Sequence, residues 1–469
     1  MRRRTIVTTL FICLSQMILI AGITTFSAMA DKIALQLSVS YYSTALATSS
    51  YGLSFGSFLI ISPFIITWIG TLKAVRLATL GWAVSGFLIS FCNDITLITT
   101  FRYIQGFFSA LLAPCLLLLL KYTLAERFDR FMPVWGSVSP LGALFGVILS
   151  GFVLSFYQWQ YGGVFLSVIM LVTSYSLLKL ISFNDKKRKT ITFPLHGLSF
   201  VGAVTSLYSL LFLVKMQWIY TAFVAGIIFM LLLYHFLHIE KNNNQLRLIH
   251  PQAILSEKRS YYTAWMFCVS GLLACYFFIV PAFIRSTIPG SELNATLYFI
   301  PFSIALIGTS VLFSKISMSL QNSNNTSFVI VVSVIVFLGA IWFLSNATTS
   351  YLILLSMIVS AISISITFSC ATSEYFGKMK NEALESAAIV SNAAFELGPS
   401  IILSIVIPIG GIIIGIVSPS REENSLFQLI GTGTLLIILM SILSVGIGLK
   451  RYLQPNSHNR NKSNDNGNN

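Results

Sequence analysis

Apolar runs of about 20 residues recur from one end of this chain to the other, and no other feature constrains its fold as strongly. Each run is long enough for a helix to cross roughly 30 Å of hydrocarbon. Fourteen are counted, at 5–29, 42–69, 74–93, 95–120, 132–156, 161–182, 196–214, 218–239, 261–284, 295–316, 327–345, 349–372, 386–416 and 427–449. The runs are continuous and do not alternate, which favours helices over a barrel. Only 9 % of the residues are charged, where a soluble protein has about 25 %. So few charges would not cover a soluble surface, and disorder needs high charge and low hydrophobicity. The chain therefore reads as an all-α polytopic membrane protein. Its six cysteines show no CxxC or Cys/His metal spacing and read as small core residues.

The net charge of +14 sits in short loops between the apolar runs, which points to membrane orientation and not to nucleic acid. With both termini placed in the cytoplasm, 24 Lys and Arg fall on inner segments. Four fall on outer ones: Lys32, Lys215, Arg285 and Arg421. That bias supports an even number of spans. Arg2, Arg3 and Arg4 precede the first run, and Ala28-Met29-Ala30 has the form of a leader cleavage site. The run is longer than a leader's 7–15 apolar residues, so it is expected to stay as an uncleaved span. Two polar loops, 183–193 and 240–258, divide the spans six, two and six. The expected organisation is a six-helix bundle at 1–182, then 183–258 with a basic loop, two extra helices and a second linker. A second six-helix bundle at 259–451 and a disordered Asn-rich tail at 452–469 follow.

Charge inside the membrane is the most informative chemical signal, because burying an ionisable group at a helix centre costs about 2.5–3.5 kcal/mol on insertion scales. Two such groups lie within spans. Arg102 sits eight residues past Asp94, roughly 12 Å deep at 1.5 Å per residue. It either snorkels to the outer surface or presents a fixed positive charge to a central cavity. Glu396 lies about ten residues from the inner end of the thirteenth span, with Asn392 and Ser400 on its face. A carboxyl that gains and loses a proton there suits proton coupling; the alternative is a neutral Glu bonded across a helix interface. Ser356, Ser360, Ser363 and Thr367 form one stripe of the twelfth span. They line a wet cavity or let two helices approach closely. Gly142, Gly146 and Gly151 beside Pro140 form a close-packing face, and Tyr51, Phe55, Tyr103, Phe107 and Phe108 are candidates for an aromatic wall. No P-loop, GxSxG or HExxH pattern occurs, and His235 and His238 lack a third metal ligand nearby. The chain does not read as an enzyme.

Arg102-Tyr103-Ile104-Gln105-Gly106 resembles the RxxQG signature in the fourth helix of the major facilitator superfamily, in its drug/proton antiporter branches. Fourteen spans resemble the branch with two extra helices between six-helix halves. Gly142-Ala143-Leu144-Phe145-Gly146 with Gly151 is similar to the antiporter motif of helix five, Trp159 to the aromatic that follows it, and residues 391–398 to helix thirteen. Three stretches depart from the family, the first in helix five, where the Pro of the usual GP pair is Val147. The loop usually written GxxxDRxGRR aligns with residues 63–73, where only Gly70 and Lys73 agree and Thr67 replaces the acid. The acid that many relatives carry in helix one is Gly22, and Asp31 is the nearest acidic residue.

The resemblance implies a secondary transporter with proton coupling at Glu396, Arg102 and Asp31. It implies a substrate cavity at Gln105, Tyr103, Asn392, Ser356, Ser360, Ser363 and Thr367, and packing or gating at Gly70, Gly106, Gly142, Gly146 and Gly151. The expected activity is proton-driven efflux of a small amphipathic compound across the cell (inner) membrane by a monomer, with no cofactor and no metal. Two alternatives stand beside it: a uniporter or importer of a nutrient or metal–chelator complex, and a non-transporting membrane receptor or assembly factor.

Overall fold

The computed structural model describes residues 3–181, 195–215, 218–242, 257–288, 292–317, 323–345, 349–376 and 381–417, with 248–249, 290 and 347 between them. Helices α1 (Arg3–Ala28), α2 (Ala30–Gln36), α3 (Tyr41–Leu59), α4 (Ser62–Ile69), α5 (Thr71–Ile89), α6 (Ile95–Leu124), α7 (Phe128–Phe156) and α8 (Gln160–Leu180) build the N-terminal bundle. A hairpin follows, α9 (Leu195–Lys215) and α10 (Ile219–Asn242). The C-terminal bundle holds α11 (Glu257–Thr287), α12 (Glu292–Leu297), α13 (Phe299–Ser317), α14 (Ser323–Ser345), α15 (Ser350–Phe376) and α16 (Asn381–Val417).

Eleven described helices are each long and apolar enough to cross a membrane, or twelve if α3 and α4 are one span bent by 68°. Thirteen of the fourteen expected spans fall on described helices. The fourteenth, the loop at 183–193 and the tail lie outside the described residues. The second expected span, 42–69, is interrupted. Ile60 and Ile61 break the run, and Pro63 opens α4 at a first-turn position where its missing N–H costs nothing. Gly70 closes α4 at φ 89°, a conformation that side chains with a Cβ resist. Ser40 and Asp94 cap α3 and α6, accepting from Ser43 N and Thr96 N. Ala28, Met29 and Ala30, which had the form of a cleavage site, are buried where α1 passes into α2.

Within the N-terminal bundle α3 packs on α6, α1 on α7 and α8, and α5 on α6 and α8; within the C-terminal bundle α11 packs on α15 and α16, and α15 on α13 and α14. Separate apolar cores centre on Tyr51, Trp82 and Leu116 and on Phe278, Phe299 and Phe302. The bundles meet through α3 with α16, α7 with α12 and α13, and α1 with α11. These contacts surround the site.

Candidate functional site

Between the bundles lies a cavity lined from both sides. The N-terminal bundle supplies Thr24 and Ser27 from α1, Thr48, Ser49 and Gly52 from α3, and Ser139, Pro140 and Ala143 from α7. Facing them are Ser270 and Phe277 of α11, Ser303 of α13, and Phe395, Glu396, Pro399 and Ser400 of α16. The wall is apolar, dotted with hydroxyls that mostly donate to their own helices, as Thr48 does to Thr44 O at 2.8 Å and Ser27 to Ile23 O at 2.9 Å. Their lone pairs stay available to a guest. Ser49 Oγ has no partner among the described residues.

Among the described residues Glu396 is the one ionisable residue on this wall. It is buried, and among the described residues its carboxyl takes part in no hydrogen bond or ion pair, so the interface-bonded alternative is not what the structure shows. What brings it there is the tight seam of α3 on α16. A Cβ on Gly52 would lie 3.1 Å from the Glu396 carbonyl oxygen and would overlap Ser400 Oγ, and one on Gly56 would stand 2.6 Å from Leu397 Cγ. Gly52 and Gly56 form a GxxxG pair whose close-approach role is readable from spacing, yet sequence reasoning passed over them, as it did Thr48, Ser49 and Ser303.

Arg102 neither snorkels nor faces the cavity. It is 2 % exposed inside the N-terminal bundle, its Cζ 4.6 Å from the ring centres of both Phe26 and Tyr51. Nη1 donates to Gly22 O and to Gln105 Oε1, both at 3.0 Å. In place of the missing helix-one acid stand a backbone carbonyl and two aromatic faces, and Nε and Nη2 find no hydrogen-bond partner among the described residues. Trp82 fills the space above Gly22, with Cζ2 2.7 Å from where a Cβ would stand. Tyr51, fully buried, accepts from Trp82 Nε1 at 3.2 Å and bonds Ser109 Oγ at 2.5 Å.

Several expected cavity residues lie elsewhere. Gln105 is spent on Arg102. Tyr103 and Phe107 pack edge-on against Phe58, and Phe107 in turn against Phe108, so the aromatic group is a cluster on α3 and α6 and not a cavity wall. Ser356, Ser360 and Ser363 donate to carbonyls of their own helix at 2.7, 2.7 and 2.9 Å. Thr367 meets Ser333 of α14 at 2.7 Å, a contact between helices, and none of the four is among the described residues of the cavity wall. Asn392 is exposed and off the cavity wall, although it shares a face with Glu396. Asp31 is not in the cavity either. Its carboxylate takes Arg285 Nη2 at 2.5 Å and Nε at 3.2 Å. Arg285 also donates to Ala28 O at 2.9 Å and lies 3.4 Å from Glu292, which meets Lys32 at 2.8 Å. These four charges tie α1 and α2 to α11 and α12 at one end of the molecule, a latch between the bundles. Leu293 N donates to Ser155 Oγ at 3.0 Å beside it.

The glycines mark close approaches. A Cβ on Gly142 would stand 2.5 Å from Met17 O and one on Gly146 2.6 Å from Ala21 O, where α7 meets α1. A Cβ on Gly106 would overlap Tyr51 O, and one on Gly151 would overlap Thr296 across the bundle interface. Among the described residues no cluster of His, Cys, Asp and Glu is arranged to hold a metal.

Residues 12–403 match the family model described as Major Facilitator Superfamily. No curated protein matches the sequence significantly. Solved structures match in fold at low identity. The nucleoside transporter NupG aligns at 14 % identity and TM-score 0.64, covering 97 % of this chain and 100 % of its own. A structure of PepTSo2, described as tetrameric, aligns at 14 % and 0.61 over 96 % and 100 %. The proton:xylose symporter XylE aligns at 11 % and 0.56 over 93 % and 95 %.

Proposed function

The chain belongs to the Major Facilitator Superfamily, a family of membrane transporters, and we propose that it exports a small amphipathic compound by exchange against protons bound at Glu396. The observation that carries this reading is a carboxyl that, among the described residues, is the lone charge-bearing group in a cavity between two bundles. A bare carboxylate in so apolar a place costs several kcal/mol unless a proton or a cationic group meets it. Proton and cargo then compete for one site, which is the minimal requirement for exchange. The apolar wall and the ring faces of Phe277 and Phe395 accommodate the greasy part of the cargo, and the hydroxyls of Ser49, Ser270 and Ser303 its polar groups.

The latch fastens one end of the cavity, so the structure represents one state of an alternating cycle. The Lys and Arg bias makes that end the outer one, with both termini cytoplasmic. Arg102 sets the potential of the N-terminal bundle from behind Tyr51 and does not touch cargo. In this reading the protein acts as a monomer of the fourteen-helix antiporter branch in the cell (inner) membrane.

The test is transport in proteoliposomes with an imposed pH gradient, using a panel of amphipathic amines. The wild type accumulates a member of the panel in proportion to the gradient, and Glu396→Gln abolishes the gradient dependence. Accumulation by Glu396→Gln equal to the wild type would remove Glu396 from the mechanism. A second reading, uniport or import, is favoured by the engagement of Asp31 in the latch, which leaves one carboxyl among the described residues of the cavity and none at Gly22. It expects movement of the same compound with no gradient dependence in the wild type.

A further inference from the structure

The inserted hairpin meets the two bundles in two different ways. Helix α9 runs antiparallel along the whole of α3. Tyr42 OH donates to Leu211 O at 3.3 Å and Tyr208 OH to Leu46 O at 3.0 Å. Further along, Val204 packs with Leu53. At the far end Gly197 sits on Ile61, where α3 breaks into α4, so closely that a Cβ would stand 2.5 Å from Ile61 Cγ2. Residues 42, 46 and 53 of α3, and 61 just past its end, thus answer 211, 208, 204 and 197 of α9, and hydrogen bonds hold one end of the pairing.

Towards the C-terminal bundle the contact of α9 is apolar, and Phe236 of α10 with Phe200 of α9 packs at the apolar core of that bundle. Val204 shares a buried cluster with Leu397 of α16, flanked by Phe200, Phe267 and Ile401. Among the described residues no hydrogen bond joins α9 to α11 or α16. The difference matters in lipid. A hydrogen bond broken there finds no water to replace it, whereas an apolar contact is exchanged for another at little cost, since acyl chains are as apolar as Leu. Leu397 follows Glu396 directly, so α9 backs the α3–α16 seam just behind the cavity's carboxyl.

We propose that the hairpin α9–α10 is carried by the N-terminal bundle as one body, and that the Phe200–Val204 face is the surface on which α16 slides when the bundles rock, keeping acyl chains out of the seam behind Glu396. This rests on the transporter reading, because it needs two bundles that move.

The experiment is pairwise spin-label distance measurement in lipid nanodiscs, in a background with the six native cysteines replaced by Ala. Labels go on exposed positions of α9, α5 and α15 through Ser209→Cys, Leu80→Cys and Leu355→Cys. Each pair is measured with the latch intact and cut by Arg285→Gln, with Asp31→Asn as a second way of cutting it. The 80–355 distance shifts by more than about 3 Å on rocking, the 209–355 distance shifts with it, and the 209–80 distance stays within about 1 Å. A 209–80 distance that moves while 209–355 holds shows the hairpin riding with the C-terminal bundle and overturns the proposal. An 80–355 distance unchanged by either substitution means the bundles do not rock, which sinks the transport reading and this proposal with it.

Discussion

Replacing Asp31 by Asn keeps the shape of the latch and removes the anion from its centre. Arg285 and Asp31 are largely shielded, with 8 % and 11 % of their side chains exposed. Two hydrogen bonds join them, at 2.5 and 3.2 Å. Hydrogen bonds to charged groups contribute about 1.5–3 kcal/mol net, and Asn retains one neutral acceptor. The loss is therefore about 1.5–3 kcal/mol, and it falls only on the state in which the bundles are fastened at this end. A ligand or contact shifts an equilibrium by its differential energy between states. At 1.4 kcal/mol per factor of ten, the population open at the latch end rises about 10- to 150-fold. The assay is the reaction rate of a cysteine at Ser49, on the cavity wall, with a membrane-impermeant maleimide added from the latch side. The rate is expected to rise by at least tenfold in Asp31→Asn. Lys32→Gln is the internal control. Lys32 meets Glu292 at 2.8 Å but its side chain is 38 % exposed, so its loss is worth well under about 1 kcal/mol and changes the rate less than about fivefold. Equal rates for Asp31→Asn and the wild type, or a larger effect from Lys32 than from Asp31, would refute the argument from burial.

Three further outcomes follow from the packing. Gly106→Ala drives a methyl into the Tyr51 carbonyl oxygen, while Gly308 has nothing within 4 Å. The first substitution is expected to destabilise by about 1–3 kcal/mol and Gly308→Ala to stabilise by about 0.5–1 kcal/mol, read as thermal shifts of opposite sign in detergent. Arg102→Lys keeps the charge but loses the flat stack between Phe26 and Tyr51 and the fork that reaches Gly22 and Gln105. A loss of about 1–2 kcal/mol in stability is expected, and an unchanged melting temperature would show that the stack contributes nothing. A cysteine pair at Ile61 and Gly197 has its Cβ atoms 3.9 Å apart, within the range a disulfide spans. It is expected to oxidise readily and to leave transport intact, as assayed in the same vesicles with and without reductant.

The sequence by itself determined the membrane class and the places of thirteen apolar stretches that the structure describes as helices. It could do so because each helix crossing hydrocarbon must satisfy its own backbone and supply its own apolar length, so every span is written locally. The direction each helix faces is not written that way. In water an apolar stripe marks the buried side, but in lipid the outside is as apolar as the inside, and a helix such as α15 or α6 carries no such mark. Hence Ser356, Ser360 and Ser363 read equally well as cavity or interface, and Tyr103 and Gln105 read as cargo residues although they serve α3 and Arg102. Asp31 stands out in the sequence as an isolated acid, but its partner Arg285 lies 254 residues away and reads there as one more loop charge. Which charge meets which and which helix backs the seam behind Glu396 were decided by tertiary packing alone, since in a bilayer only contact between helices distinguishes one face from another.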